Sequence, residues 1–148
     1  MKRLKIIIHE EQNIKEIEII INCVSADEEV EQIISTLNGF NMKFHCRCQG
    51  EMFQLDVGNI IYIESVERKT FLYTENQIYE TDKRLYELET YLRGQSFFRA
   101  SKAFIINLKR VKSLRPEVGA RLLLTMDNDE KIIVSRQYAG NIKNVLEV

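Results

Sequence analysis

Short segments of alternating apolar and polar residues, separated by turn residues, fill the chain from Lys43 onward and constrain its fold most strongly. Alternation with a period of two is the pattern of a β-strand that buries one face. The pattern predicts strands at 43–48, 52–57, 60–66, 70–74, 77–80, 111–114, 121–126 and 131–135, with connections at 49–51, 67–69, 75–76, 115–119 and 127–129. The sequence therefore predicts a mainly β fold.

Helical periodicity adds three short helices to this β pattern, which makes the predicted class α+β. The first begins at a capping box formed by Ser25 and Glu28, the second has Asp82 as its N-cap and ends before Gly94, and the third lies within 136–147. The apolar residues that mark one face of each helix are Val30, Ile33, Ile34 and Leu37, then Leu85, Leu88 and Leu92, then Ile142, Val145 and Leu146.

The start of the chain differs from the remainder and predicts a small N-terminal extension. Residues 4–9 and 14–24 are rich in Ile and have the composition of two strands joined by the polar turn 10–13. With the first helix they predict a ββα extension over residues 1–42, followed by the main domain at 43–148. So small a unit cannot bury this much apolar surface alone, so we expect it to complete the sheet or to form a dimer interface.

Size and composition place the chain among ordinary globular proteins. Its 148 residues fit one domain with a small extension, and 45% are hydrophobic. The apolar runs, such as 19–21, have at most four residues and are far too short to cross a bilayer, and the first residues lack the pattern of an export signal. Three cysteines, an odd number, favour a reducing compartment over a disulfide framework. We therefore expect a cytoplasmic protein.

The net charge of −1 conceals a strong asymmetry along the chain. Residues 1–82 contain 8 Lys and Arg against 15 Asp and Glu, whereas residues 83–115 contain 9 against 2. Within the basic part, residues 97–108 place cations and hydroxyls between aromatic and branched apolar residues. Such a segment can anchor its backbone in a core and present a row of positive charge to phosphates, although a solvated cationic face has the same composition.

The basic segment and two further loops supply the candidate contacts to nucleic acid. Cationic side chains can neutralise phosphates, and hydroxyl and amide groups can bond phosphates or base edges. The candidates are Arg99, Ser101, Lys102, Asn107, Lys109 and Arg110 in the basic segment, Arg68 and Lys69 in the second loop, and Arg136, Gln137 and Tyr138 in the third. Asn107 has a structural alternative, which is to satisfy the backbone of a tight connection.

Catalytic and metal-binding patterns are weak in this sequence. His9 and His45 are its only histidines and neither adjoins a nucleophile motif, and the six glycines form no phosphate-binding loop. A zinc site built on Cys46 and Cys48 is disfavoured because zinc ligand pairs usually have at least two residues between them. On one strand these two cysteines share a face, where they serve better as small buried residues. We therefore expect no enzyme, cofactor, metal site or small-molecule substrate.

Four segments, in order, resemble the motifs of the LytTR DNA-binding domain family. The run 60–65, IIYIES, resembles the family's strand I-x-Y-I-E-A/S, and 85–89 followed by 97–99, LYELE and FFR, resembles S-L-x-E-L-E…F-x-R. The run 101–107, SKAFIIN, is similar to the signature H-R/K-S-Y-I-V-N, and 133–138, IVSRQY, is similar to the closing I-P-V-S-R-R-Y. The resemblance covers roughly residues 43–147.

The resemblance implies an elongated, mostly antiparallel β fold that binds promoter DNA through loops rather than a recognition helix. Such loops enter two successive major grooves and cross the minor groove between them. Lys102 takes the central Arg or Lys position of the signature and Asn107 its Asn, while Arg136 and Gln137 occupy the closing loop. Ser101, Ala103, Phe104 and Gln137 depart from the family's His, small hydroxyl residue, Tyr and second Arg.

A sequence-specific transcriptional regulator that binds paired promoter elements as a homodimer is therefore the expected function. Residues 1–42 are too short for the receiver domain that many relatives carry. The chain thus resembles stand-alone members, whose activity tends to depend on a partner protein, sometimes a membrane-bound one. The alternative is a protein-interaction module with weak DNA affinity that binds its partner through the acidic extension.

Overall fold

The computed structural model describes residues 3–40 and 42–148, which contain ten strands and three helices. Met1, Lys2 and Asn41, which fall within the predicted extension, lie outside the described residues. The strands are β1 (Lys43–Cys48), β2 (Glu51–Asp56), β3 (Tyr62–Val66), β4 (Lys69–Tyr73), β5 (Ile78–Thr81), β6 (Phe97–Arg99), β7 (Phe104–Asn107), β8 (Val111–Glu117), β9 (Arg121–Met126) and β10 (Lys131–Val134). The helices are α1 (Glu28–Asn38), α2 (Leu85–Tyr91) and α3 (Arg136–Leu146).

The strands form two antiparallel sheets. The larger has seven strands in the order β2-β1-β5-β4-β3-β7-β6, and the smaller has three in the order β10-β9-β8. At the centre of the larger sheet, Tyr62 lies opposite Tyr73 on one side and Ile106 on the other. The predicted fold class, mainly β and mostly antiparallel with short helices, is confirmed.

Each face of the larger sheet covers its own hydrophobic core, because successive residues of a strand point to opposite faces. The first core lies between the larger sheet, the smaller sheet and α3, and its buried residues are Ile61, Tyr62, Ala100, Ile106, Leu108, Leu122, Leu124, Met126, Ile132, Val134, Ala139 and Ile142. The second lies beneath α2 and contains Phe44, Cys46, Leu55, Val57, Ile60, Ile63, Leu72, Leu85, Leu88, Leu92 and Ile105. The neighbours Ile105 and Ile106 of β7 thus belong to different cores.

A tyrosine pair marks the first core. The rings of Tyr62 and Tyr73 stack with their centroids 4.3 Å apart, and the Tyr73 hydroxyl donates a hydrogen bond to Glu64 Oε1 at 2.8 Å. Burial raises the pKa of Tyr62 to about 12, so this phenol stays neutral at physiological pH. The pair therefore acts as a packing unit of the core.

The two strands predicted in the extension are wrong. Residues 3–27 form neither helix nor strand, and their side chains are exposed apart from the partly buried Ile21 and Asp27. A strand needs a hydrogen-bonding neighbour, and no strand in the described part of the chain pairs with this segment. This segment therefore has the sequence pattern of a strand but lacks a neighbouring strand with which it could form a sheet.

The predicted first helix is confirmed, with a different N-cap. The Asp27 carboxylate, rather than the Ser25 hydroxyl, accepts a hydrogen bond from Val30 N at 3.1 Å. Helix α1 fully buries none of its residues and contacts the main domain near its C-terminus, where Gln95 Nε2 donates to Ser35 O at 3.0 Å. A Cβ at Gly94 would lie 2.9 Å from the Ser35 side chain, so the close approach requires this glycine.

Two predicted boundaries differ from the structure for identifiable reasons. Helix α2 begins at Leu85 rather than directly after Asp82. The Asp82 carboxylate does not cap the helix, because it bonds Arg47 at 2.9 Å. The Glu87 carboxylate caps it by accepting a hydrogen bond from Arg84 N. Strand β8 continues to Glu117 through the predicted turn at 115–119. It tolerates Pro116 because it is an edge strand, where a missing N–H costs no ladder bond.

Candidate nucleic-acid interface

The three loops predicted to contact nucleic acid meet at one end of the molecule. They are the β3–β4 turn at 67–68, the β6–β7 loop at 100–103 and the junction of β10 with α3 at 135–137. Ser65 N donates to Ala103 O at 2.8 Å, which ties the end of β3 to the second loop. Ser135 N donates to Ala100 O at 2.9 Å, which ties the third loop to the second. Backbone hydrogen bonds therefore fix the loops against each other.

The β3–β4 turn presents two cations on a tightly constrained backbone. Glu67 and Arg68 have φ values of 49° and 70°, and the strands resume with Val66 opposite Lys69. Positive φ at both central residues is the geometry of a two-residue hairpin turn, where Asn and Gly are the favoured residues. Arg68 and Lys69 are both exposed at this turn. Strained backbone that carries charged residues is a pattern found at functional sites.

The Arg99 side chain fixes the backbone of the β6–β7 loop by hydrogen bonds. Its Nε donates to Ser101 O at 2.6 Å, its Nη2 donates to Lys102 O at 2.7 Å, and its Nη1 pairs with Glu89. The Arg99 side chain is only 17% exposed, which suits a residue that positions the loop rather than one that reaches a ligand. Lys102, whose backbone carbonyl Arg99 bonds, is exposed in this loop.

Ser101 and Tyr138 have structural contacts. The Ser101 hydroxyl accepts a hydrogen bond from Ala103 N at 3.2 Å, and the residue is partly buried. Tyr138 packs against the first core. Arg136 and Gln137, at the start of α3, are exposed and lie where the helix N-terminus has its positive partial charge. The third loop therefore offers Arg136 and Gln137 to a ligand, with Tyr138 as the anchor behind them.

A groove between the first two loops adds residues that sequence reasoning missed. An open groove of about 380 Å³ is lined by Ser65, Arg84, Leu85, Tyr86, Arg99 and Lys102. The exposed Arg84 side chain donates from Nη1 to Arg68 O at 3.4 Å, which connects α2 to the first turn. The signal was present in the sequence, since Arg84 lies in the basic part of the chain and in the first turn of the helix predicted to follow Asp82. Tyr86, 69% exposed, has no comparable signal.

Asn107 is not available to DNA, which corrects its predicted role. Its side chain is 2% exposed and fully bonded within the protein. Nδ2 donates to Ile60 O at 2.9 Å, while Oδ1 accepts from Ser96 Oγ at 2.5 Å and from Lys109 N at 3.1 Å. The structural alternative for Asn107 is therefore the correct one, because a buried amide with these partners cannot reach a base or phosphate.

Lys109 and Arg110 lie at the other end of β7 from Lys102, so the basic run does not form one surface. Four residues of strand separate the two groups, about 13 Å at the usual rise. The Arg110 side chain is 21% exposed and forms ion pairs with Glu75 at 3.0 Å and Asp127 at 2.7 Å. These pairs connect the β4–β5 turn, which contains Glu75, to the β9–β10 turn, which contains Asp127. Arg110 thus has a structural role in these ion pairs, and Lys109 is exposed at the end of β7 opposite the β6–β7 loop.

Of the three cysteines, Cys46 is a packing residue of the second core, whereas Cys23 is exposed. Cys46 is 2% exposed, and burial raises the pKa of its thiol, whereas Cys48 is only partly buried. Among residues 3–40 and 42–148, no group of three His, Cys, Asp or Glu side chains is arranged to hold a metal ion. None of the helices in these ranges is long and apolar enough to cross a membrane.

Comparison with known proteins places this geometry in a family. Residues 50–147 match the family model described as the LytTr DNA-binding domain. The chain is 30% identical over 94 residues to the sensory transduction protein LytT of Bacillus anthracis, and 26% identical over 93 residues to the transcriptional regulatory protein YpdB of Escherichia coli K12. These matches cover 64% and 62% of the chain, but only 38% of each relative.

A solved structure supports the same assignment. A LytTr DNA-binding domain from Bacillus cereus superposes with a TM-score of 0.68 at 26% sequence identity, covering 72% of this chain and 97% of that one. Strand β1 precedes the matched range yet pairs within the larger sheet, so the sheet begins before the family match does. The predicted family is therefore confirmed, and the chain belongs to the LytTR DNA-binding domain family.

Proposed function

We propose that this protein is a sequence-specific, DNA-binding transcriptional regulator that contacts promoter DNA with the three loops at one end of its sheets. The observation that carries the proposal is the convergence there of five exposed cations: Arg68, Lys69, Arg84, Lys102 and Arg136. Each can neutralise a phosphate, and this sequence-independent attraction supplies much of the affinity of such proteins. The match to a DNA-binding domain family supports the same function.

The loops, rather than a helix, are the proposed reading elements. Helix α2 lies on the second core through Leu85 and Leu88, and α3 lies on the first through Ala139 and Ile142. Neither helix is free to enter a groove along its length. Lys102 and Gln137 are exposed at the loop ends, and side chains of these types can bond guanine and adenine edges in the major groove.

We infer from the family resemblance that these loops enter successive major grooves. In that arrangement Lys102 and Gln137 read bases, while the cations of the β3–β4 turn and of Arg84 bind the phosphates between the grooves. A homodimer would read paired elements, and a further partner protein would supply the input signal in the cytoplasm. These finer features follow from the resemblance and from the placement of the cations.

The decisive experiment compares two exposed lysines at opposite ends of β7. Lys102→Ala is expected to weaken binding to a labelled fragment of the gene's own upstream region and to reduce the slope of log K against log salt by about 1. Lys109→Ala is the matched control and should leave both unchanged. Fluorescence anisotropy at several salt concentrations measures both quantities.

The same titration separates DNA binding from the alternative function. Gln137→Ala should relax the preference for a few base positions and change non-specific affinity little. The excess of carboxylates in residues 1–82, 15 Asp and Glu against 8 Lys and Arg, favours the alternative, a partner-binding module with weak DNA affinity. Absence of salt-sensitive binding at micromolar protein would support that alternative. Equal effects of Lys102→Ala and Lys109→Ala would instead contradict the placement of the DNA contacts at the three loops.

A further inference from the structure

Exposed aliphatic residues are concentrated at the start of the chain, outside both cores. Of the 22 large hydrophobic residues that are exposed, 12 lie between Leu4 and Phe40, including Ile6 at 79%, Ile8 at 80% and Ile17 at 93%. The segment 3–24 has no helix or strand and buries none of its side chains fully. Isolated exposed apolar residues are common, but a continuous group of this size indicates an interaction surface.

The order of residues in this segment predicts two strands with one apolar face each. In 4–8, the even positions Leu4, Ile6 and Ile8 are all aliphatic. In 17–21, the odd positions Ile17, Ile19 and Ile21 are all aliphatic. Successive residues of a strand alternate between faces, so each run would present three branched side chains on one side.

The opposite faces of these strands carry complementary charge. The first has Arg3 and Lys5 beside Ile7, and the second has Glu16 and Glu18 beside Ile20. When two such strands pair antiparallel with their apolar faces on the same side, the cations and carboxylates share the other side. Opposite charges on neighbouring strands stabilise the pair, whereas a register shift by one residue would separate them and mix the faces.

One chain cannot cover the apolar face that this pairing creates. A two-stranded unit is marginal in water because one of its faces stays open. The same face of a second copy is self-complementary, as a two-fold interface requires. Nine of the exposed large hydrophobic residues lie within 3–24, from Leu4 to Val24, so the apolar surface of this segment is not used within one chain.

We propose that residues 3–24 form a homodimerisation element in which the two Ile-rich strands of each copy pair with each other and the apolar faces of the two pairs pack together. The partner is therefore a second copy of this chain. The proposal deepens the homodimer of the proposed function and rests on it only in part, since it concerns the protein without DNA. A failure of dimerisation and a failure of DNA binding are thus measured separately.

Light scattering coupled to size exclusion tests the proposal on the full chain. At tens of micromolar, the wild type is expected near twice its chain mass of 17.4 kDa. Ile19→Lys, on the apolar face, should give the mass of one chain. Ile20→Lys, one residue further and on the charged face, is the matched control and should keep the dimer. Circular dichroism checks that the variants retain the β fold.

Charge exchange tests the predicted pairing itself. Lys5→Glu should weaken the dimer at least tenfold in dissociation constant, and adding Glu18→Lys should recover most of that loss. A wild-type mass of one chain would overturn the proposal. Residues 3–24 would then be expected to pack against α1 of the same chain or against another protein. Equal disruption by Ile19→Lys and Ile20→Lys would also overturn it, because face-specific pairing could not explain that result.

Discussion

At the residue scale, Arg99 is a partly buried cation that positions one of the loops proposed to contact DNA. Its guanidinium bonds the carbonyls of Ser101 and Lys102, and these bonds fix the loop that presents the Lys102 ammonium. Arg99→Met keeps most of the side-chain volume and removes the donors. We expect it to weaken DNA binding several-fold, since each lost hydrogen bond costs about 0.5–1.5 kcal/mol. Anisotropy titration measures the effect.

A double-mutant cycle distinguishes positioning from direct contact. If Arg99 acts by orienting Lys102, Arg99→Met should add little in the Lys102→Ala background. Fully additive losses would instead mean that Arg99 contacts DNA itself. The cycle also controls for stability, provided that both variants are measured below their unfolding midpoints.

Asn107 belongs to folding rather than to binding, and its variant should show this. Asn107→Ala leaves the buried carbonyl of Ile60 and the hydroxyl of Ser96 without their amide partner. The free energy of unfolding should fall by about 1–3 kcal/mol for each buried group left unpaired. Urea unfolding measures this, with exposed Lys102→Ala as the control expected within about 0.5 kcal/mol of wild type. Lost DNA affinity at unchanged stability would contradict the structural role.

At the element scale, the β3–β4 turn places two charged residues at backbone angles that lower the stability of the protein. Glu67 and Arg68 occupy positive φ, where Asn and Gly cost less. Replacing the pair by Asn-Gly should raise the free energy of unfolding by roughly 1 kcal/mol, because each strained residue costs about that much or more. The same change should weaken DNA binding, since the Arg68 cation is lost. Urea unfolding and anisotropy on one protein sample measure both effects.

The β1–β2 turn is a matched control, because a variant there tests whether a change in stability alone alters DNA affinity. Gln49 also has positive φ, at 50°, but lies away from the three loops. Gln49→Asn should stabilise the protein slightly without changing DNA affinity. If both turn variants changed DNA binding alike, the effect would come from general stability rather than from the lost Arg68 charge.

The elements show where a pattern suffices and where it does not. Strands β1 and β9 match their predicted bounds because alternation and turn residues both act over short distances. The strands predicted at 4–9 and 14–24 had the same local pattern and failed, because pairing depends on a neighbour that local sequence does not specify. The burial of Asn107 and the ion pairs of Arg110 with Glu75 and Asp127 were likewise not predictable from local sequence, since the fold sets both.

At the scale of the whole molecule, strand β7 makes the two cores one cooperative unit. Ile105 packs beneath α2 and Ile106 packs against the smaller sheet, and both are essentially fully buried. Loss of β7 would therefore open both faces of the larger sheet at once. The three loops sit on ends of strands from both sheets, so this coupling also holds the DNA-facing end in one arrangement.

The coupling predicts a single unfolding transition for both cores. Ile105→Ala and Ile106→Ala should each lower the free energy of unfolding by about 2–5 kcal/mol, the range for large-to-small changes in a core. Methyl NMR signals of Leu88 in the second core and Leu124 in the first should report the same urea midpoint in each variant. Tyr86→Ala, at an exposed position of α2, is the control and should leave both midpoints nearly unchanged. Two separated midpoints, each moved only by the substitution in its own core, would show instead that the faces of the sheet unfold independently.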